Sequence, residues 1–354
     1  MKFSSAPSGP SKLSSVRVAA LAVCAMVMSL VAFGAGKSLQ IYFIDTEGGQ
    51  STLVVSPSGQ SILVDTGWPG FGSRDADRIV AAAKDAGVSE LNFVVITHFH
   101  RDHVGGVPQL LSKMKVGTFI DHGQNREDSD VTREDYAAYE KAIAASGSKR
   151  ESLKPGDIIP ITGIRAQVVT ADGEHIAGAL PGGGEENPYC AGQPEAPADP
   201  SENARSLGTL FTFGKFRFID LGDLTKQKEL QLVCPKNLVG TVDLYLTTHH
   251  GLNLSNSPAI VDALHPRVAI MNNGANKGGS PEAWQTVHDS PGLLDLWQLH
   301  YSIEGGKPHN ELDSFIANPE GMPDAGHYIK VTAEADGTFT VLNSRTGQTK
   351  TYKK

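Results

Sequence analysis

The chain has 354 residues and carries 31 Lys and Arg against 39 Asp and Glu, a formal net charge of −8. That length is ample for a buried core, either one large layered domain or two mid-sized ones. The acidic balance argues against broad nucleic-acid binding, which rests on Lys and Arg neutralising phosphates.

Lys2, Lys12 and Arg17 precede an uncharged run over 18–33 that ends in Gly34, Ala35 and Gly36. Residues 1–36 therefore read as a signal peptide, since the run is shorter than the roughly 20 apolar residues of a membrane span. A single membrane anchor is the alternative. Export predicts a periplasmic or secreted protein with no stable span once the leader is removed. Losing three positive charges then lowers the net charge from −8 to −11. Cys24 would leave with the leader. Cys190 and Cys234 would remain, to pair in an oxidising compartment or stay free.

The mature chain, 37–354, opens with short strands at 39–44 and 52–55, then one at 61–64 that runs into Asp65-Thr66-Gly67. A helix near 75–86 has its apolar positions on one side. Residues 91–96 form a β-branched, apolar run that reads as a buried strand. It ends in Thr97-His98-Phe99-His100-Arg101-Asp102-His103, with Gly105-Gly106 behind it. Three imidazoles and a carboxylate within six residues point to a metal site. His98 and His100, two apart where the strand leaves the sheet, can converge on one cation. Asp102 and His103 follow at the start of the next segment, where free backbone N–H groups favour a carboxylate. Imidazole and carboxylate without thiolate suit zinc first, with manganese or iron as alternatives.

A second helix is expected at 134–145 and strands within 155–169. The stretch 171–201, rich in Gly and Pro, reads as an irregular insertion that either overhangs the site or lies on the surface. Strands at 207–213 and 216–221 form a hairpin through Gly214-Lys215, and the second runs into Gly222-Asp223. A strand at 242–248 runs into His249-His250-Gly251. A helix at 257–264, a strand at 268–271 and a closing hairpin from Tyr328 to Leu342 complete the pass. Strand and helix alternate, which predicts a layered α/β fold.

In this order the landmarks resemble the metallo-β-lactamase superfamily, and within it the exported hydrolase domain of the ComEC type. The resemblance rests on Asp45-Thr46-Glu47-Gly48-Gly49-Gln50-Ser51, on Asp65-Thr66-Gly67, on the histidine motif, on Leu221-Gly222-Asp223 and on Thr248-His249-His250-Gly251. It implies a single four-layer αββα sandwich with the site along one edge between the sheets. It further implies that His98 and His100 bind a first metal, that Asp102 and His103 bind a second, and that Asp223 bridges them. His250 would complete the second site, with His249 as the competing assignment, and Asp65 would orient the ligands from behind. Where many relatives carry another histidine for the first metal, this chain offers Asn203, with His122 and His175 as alternatives. One ion and two ions are both open.

The activity implied is that of an exported metal-dependent hydrolase acting on a phosphoester or phosphodiester. Asp223 would accept the proton of the metal-bound water and orient the resulting hydroxide, with Asp102 as the other catalytic carboxylate. No complete phosphate loop, dinucleotide fingerprint or Gly-x-Ser-x-Gly elbow competes with that reading. An acyl hydrolase of the lactamase or lactonase type and a non-catalytic metal-containing binding protein are the alternatives. The expected partner is a small-molecule or phosphoester substrate.

Overall fold

Two nine-stranded sheets organise the chain from Ser38 to Lys354 in a computed structural model that describes residues 1–4, 38–194 and 197–354. The expected signal peptide, with Cys24, lies outside the described residues except for residues 1–4.

The first sheet begins with β1 (Leu39–Phe43), β2 (Thr52–Val55), β3 (Ser61–Val64), β4 (Leu91–Val95), β5 (Val116–Asp121) and β6 (Lys149–Ser152). The second takes β7 (Ile158–Ile159), β8 (Arg165–Ala171), β9 (Glu174–His175), β10 (Gly208–Phe213), β11 (Phe216–Asp220), β12 (Leu244–Leu246), β13 (Val268–Met271), β14 (Asp295–His300) and β15 (Ile316–Asn318). The chain then returns to the first sheet as β16 (Ile329–Ala333), β17 (Phe339–Asn343) and β18 (Thr349–Tyr352), pairing β16 with β1. Pairing is antiparallel where strands follow through tight turns. It is parallel from β3 to β6 and from β11 to β15, mostly where a helix or long crossover intervenes.

The helices are α1 (Arg74–Asp85), α2 (Arg101–Val104), α3 (Val107–Leu111), α4 (Asp130–Ser146), α5 (Lys226–Val233), α6 (Pro258–Leu264) and α7 (Pro281–His288). Strand residues alternate between faces, so β3 sends Ile62 and Val64 to the middle of the molecule and Leu63 outward. Between the sheets, Ile41, Val54 and Val95 share one core with Phe211, Phe218 and Ile270. Outside the first sheet, Leu53 and Val94 pack with Ile79 of α1, Leu110 of α3 and Ile143 of α4. Outside the second, Ile219 and Tyr245 pack with Leu232 of α5, Ile260 of α6 and Val287 of α7. The result is the four-layer αββα arrangement that the resemblance implied.

Several elements carried no sequence signal. Edge strand β6 reads Lys-Arg-Glu-Ser and is largely exposed, so it shows no buried alternation. Helices α5 and α7 and strands β14 and β15 were likewise not expected. Helix α4 runs longer than the 134–145 expected, because Ser129 accepts from Thr132 N and caps it four residues earlier. The insertion is irregular, as expected, and is anchored to α5 and α6. Cys190 and Cys234 form a disulfide with Cα atoms 5.9 Å apart, and Asn187 Nδ2 donates to Val233 O and Ala259 O.

Glu229, fully buried on α5, accepts N–H bonds from Asn256 (2.7 Å) and Ser257 (2.9 Å) just ahead of α6. Burial outweighs those bonds and pushes its carboxyl from 4.5 up to about 7. The folded state then holds this proton more tightly than the unfolded one, so stability falls as pH rises from 4.5 to about 7 and stays lower above it. Between those limits Glu229 should cost the native protein on the order of 3 kcal/mol. Urea unfolding at a series of pH values should show a flatter pH dependence for Glu229→Gln; identical slopes would refute this.

Candidate metal centre

Three strand ends meet at one edge of the sandwich. Past β4 come Thr97 to His100, and Asp102 then sits in the first turn of α2. Past β11 come Gly222 and Asp223, and past β12 come His249 and His250. Thr97 fastens the end of β4 to Asp65 past β3 and to Leu207 ahead of β10. Its N and Oγ1 donate to Asp65 at 2.8 and 2.7 Å, and its carbonyl accepts from Leu207 N at 2.8 Å. Gly222 has φ +56°, and a Cβ there would lie 2.8 Å from Thr97 Cβ, so only glycine allows this approach. His249 and His250 both have φ 55°, two consecutive left-handed residues. Such conformations cost roughly 1–3 kcal/mol each and persist where the surroundings over-determine them. Here Gly279 N and Ser280 N donate to the carbonyls of His250 and Gly251, each at 2.9 Å.

Asp102, His103, Asp223 and His250 bring one donor atom each within 4.8 Å of the others, and all four residues are buried. His103 Nε2 lies 3.2 Å from Asp102 Oδ2, from Asp223 Oδ2 and from His250 Nε2. His250 Nε2 lies 3.2 Å from Asp102 Oδ2 and 3.4 Å from Asp223 Oδ1. A tetrahedral cation with bonds of about 2.0–2.1 Å sets its donors roughly 3.3 Å apart. The contacts of His103 and His250 match that spacing, and the four side chains are grouped closely enough to hold such an ion. Asp65 Oδ2 holds His103 Nδ1 at 2.7 Å and leaves Nε2 for the centre.

The charges agree with that fit. Burial opposes ionisation throughout the group. Even so, the charge on His103 draws Asp102 and Asp223 well below the usual carboxylate range. Those carboxylates and Asp65 in turn hold His103 well above the usual imidazole range. A metal entering here would take the place of that proton. Burial pushes His98 well down, and His249 down to about 4, so both are neutral donors at neutral pH.

The residues expected around a first metal are less tightly gathered. His98 Nε2 is 3.9 Å from Asp223 Oδ2 and has no hydrogen-bond partner among the described residues. His100 gives its Nε2 to Glu127 Oε2 at 2.8 Å, which leaves Nδ1 as its free donor. His249 Nε2 lies 3.3 Å from Asp223 Oδ2, so the two adjacent histidines address different oxygens of one carboxylate. The competition expected between them is thus a division: His250 joins the four-donor group and His249 faces the oxygen that His98 faces. Asn203 has a buried Oδ1 with no partner among the described residues. His122 Nε2 bonds Glu202 at 2.8 Å and His175 Nδ1 bonds Ile176 O, and neither belongs to the four-donor group. His300 bonds Asp45 at 2.7 Å.

Sequence reasoning missed Glu127 and Lys277, whose ammonium bonds Asp102 Oδ2. Both lie on loops without a motif. It also missed a cleft of 820 Å³ between the turn after Asp223 and the segment after His250, lined by Pro194, Pro200, Asn203, Thr225, Leu230 and Leu254 among others.

Histidines and carboxylates thus converge at the strand ends of an αββα sandwich, in a group able to hold a metal ion. Residues 45–190 match the family model described as the metallo-β-lactamase superfamily. ComE operon protein 3 of Bacillus subtilis (strain 168) is 25 % identical over 279 residues, covering 74 % of this chain and 31 % of that protein. Ribonuclease Z of Metallosphaera sedula is 32 % identical over 82 residues, covering 22 % of this chain and 26 % of that protein. The chain thus spans less than a third of the length of these curated relatives. Among solved structures, the metallo-β-lactamase fold protein YhfI of Bacillus subtilis is 10 % identical with a TM-score of 0.44, covering 73 % of this chain and 95 % of that one. CmlA, a diiron β-hydroxylase from Streptomyces venezuelae, is 14 % identical with a TM-score of 0.39, covering 72 % of this chain and 47 % of that one. The chain is thus similar to the metallo-β-lactamase superfamily over residues 45–190.

Proposed function

We propose that this chain is an exported, zinc-dependent hydrolase of phosphodiesters. The observation that carries the reading is the set of 3.2–3.4 Å contacts that His103 and His250 make with Asp102, Asp223 and each other, close to the donor spacing of a tetrahedral zinc ion. Zinc held there would activate water at neutral pH and polarise the phosphoryl oxygen. Asp223 is placed to accept the proton of that water, because its Oδ1 is buried without a hydrogen-bond partner among the described residues. Asp65 keeps His103 in the donating tautomer, and the cleft beside Thr225 and Leu254 gives room for an ester substituent. The short match to ribonuclease Z favours phosphoester over acyl chemistry. The leader pattern and the Cys190–Cys234 disulfide favour export and a single mature domain over 37–354.

The test is hydrolysis of bis(p-nitrophenyl) phosphate by the mature chain, loaded separately with zinc and with manganese. Turnover that disappears with chelator and returns with zinc is expected. Absence of turnover with either metal, together with cleavage of a lactone or β-lactam, would replace this reading by acyl hydrolysis.

A further inference from the structure

Lys277 lies on the loop between β13 and α7. Its ammonium bonds Asp102 Oδ2, the same oxygen that lies 3.2 Å from His103 Nε2 and from His250 Nε2. The loop is locked in place. Gly279 N and Ser280 N dock on the His250 turn, Gly274 N donates to Lys277 O at 2.8 Å, and Asn273 Nδ2 donates to His300 O at 2.8 Å. Gly48, at φ +82°, packs against the lysine stem so closely that a Cβ there would lie 2.9 Å from Lys277 Cβ. The ammonium sits 5.1 Å from the centre of the Trp68 ring, and the side chain is 30 % exposed. Among the described residues, Lys277 is the one Lys or Arg paired with a member of the four-donor group.

We propose that Lys277 anchors an anionic oxygen of the substrate beside the ion that the four donors would hold. Under the phosphodiester reading, on which the substrate name rests, this is a non-bridging phosphoryl oxygen. Asp102 Oδ2 also faces two imidazoles, so the ammonium is not its sole partner. Asp102 engages one of the three N–H donors of Lys277, and the partial exposure lets an incoming oxyanion reach the others. A lysine is a compact point charge suited to phosphate oxygens. A fixed cation on Asp102 supplies charge stabilisation beside the ion that the four donors would hold.

The experiment is calorimetric titration of inorganic phosphate into zinc-loaded wild type, Lys277→Met and Lys277→Arg, with zinc content measured on the same samples. Lys277→Met should keep its zinc and bind phosphate at least about tenfold more weakly. Lys277→Arg should recover part of the loss. Unchanged phosphate affinity in Lys277→Met, or no phosphate binding by wild type, would overturn the proposal. Loss of zinc in Lys277→Met would overturn it too, by assigning Lys277 to holding Asp102. Because this readout needs no turnover, it stands apart from the test of phosphodiester cleavage.

Discussion

Asp223→Ala should lower kcat/KM for a phosphodiester by about a thousandfold or more, equivalent to roughly 4 kcal/mol of transition-state stabilisation. This single carboxylate faces His103, His249 and His98 through Oδ2 and His250 through Oδ1, so every histidine nitrogen it faces loses its shared neighbour at once. The variant should also retain less zinc after dialysis against a weak chelator, measured by plasma mass spectrometry. The fold should survive. The turn is held by backbone bonds that alanine keeps, from His249 N to Gly222 O at 2.9 Å and from the residue-223 N to Ser206 Oγ at 3.1 Å. Full zinc content with full activity in a folded Asp223→Ala protein would sink the metallohydrolase reading.

The strand ends were legible in sequence because each binds chemistry to a local pattern. Residues 91–96 are apolar and β-branched, and the next residues switch abruptly to histidine and aspartate; the runs before Asp223 and His249 do the same. The division of labour around Asp223 was not legible. Which oxygen each histidine addresses depends on φ 55° at both His249 and His250, a backbone choice that residue types alone do not dictate. Lys277 reaches Asp102 across 175 residues, through a loop whose position is set by docking on His250 and Gly251. Contacts of that kind come from the closing of the two sheets, and no spacing rule records them. Strand β6 escaped notice for the opposite reason: it lies at an exposed edge, where burial imposes no pattern.

Asp65→Asn should separate positioning of a ligand from ligation itself. Asp65 has φ 61°, a conformation asparagine tolerates, and an asparagine oxygen can still accept from Thr97 N, so the turn should fold. The amide would place a donor or a weaker acceptor where Asp65 Oδ2 now meets His103 Nδ1 at 2.7 Å. A donor there favours the tautomer protonated on Nε2, the nitrogen that faces Asp102, Asp223 and His250, and such a nitrogen cannot bind a cation. Zinc affinity measured by competition with a chromophoric chelator should fall about 10–100-fold, the range typical of removing an outer partner from a ligating histidine. Activity at saturating zinc should recover further than in Asp223→Ala, because all four donor side chains are still present. Zinc affinity equal to wild type would show that Asp65 holds the ends of β3 and β4 together and has no part in aiming His103.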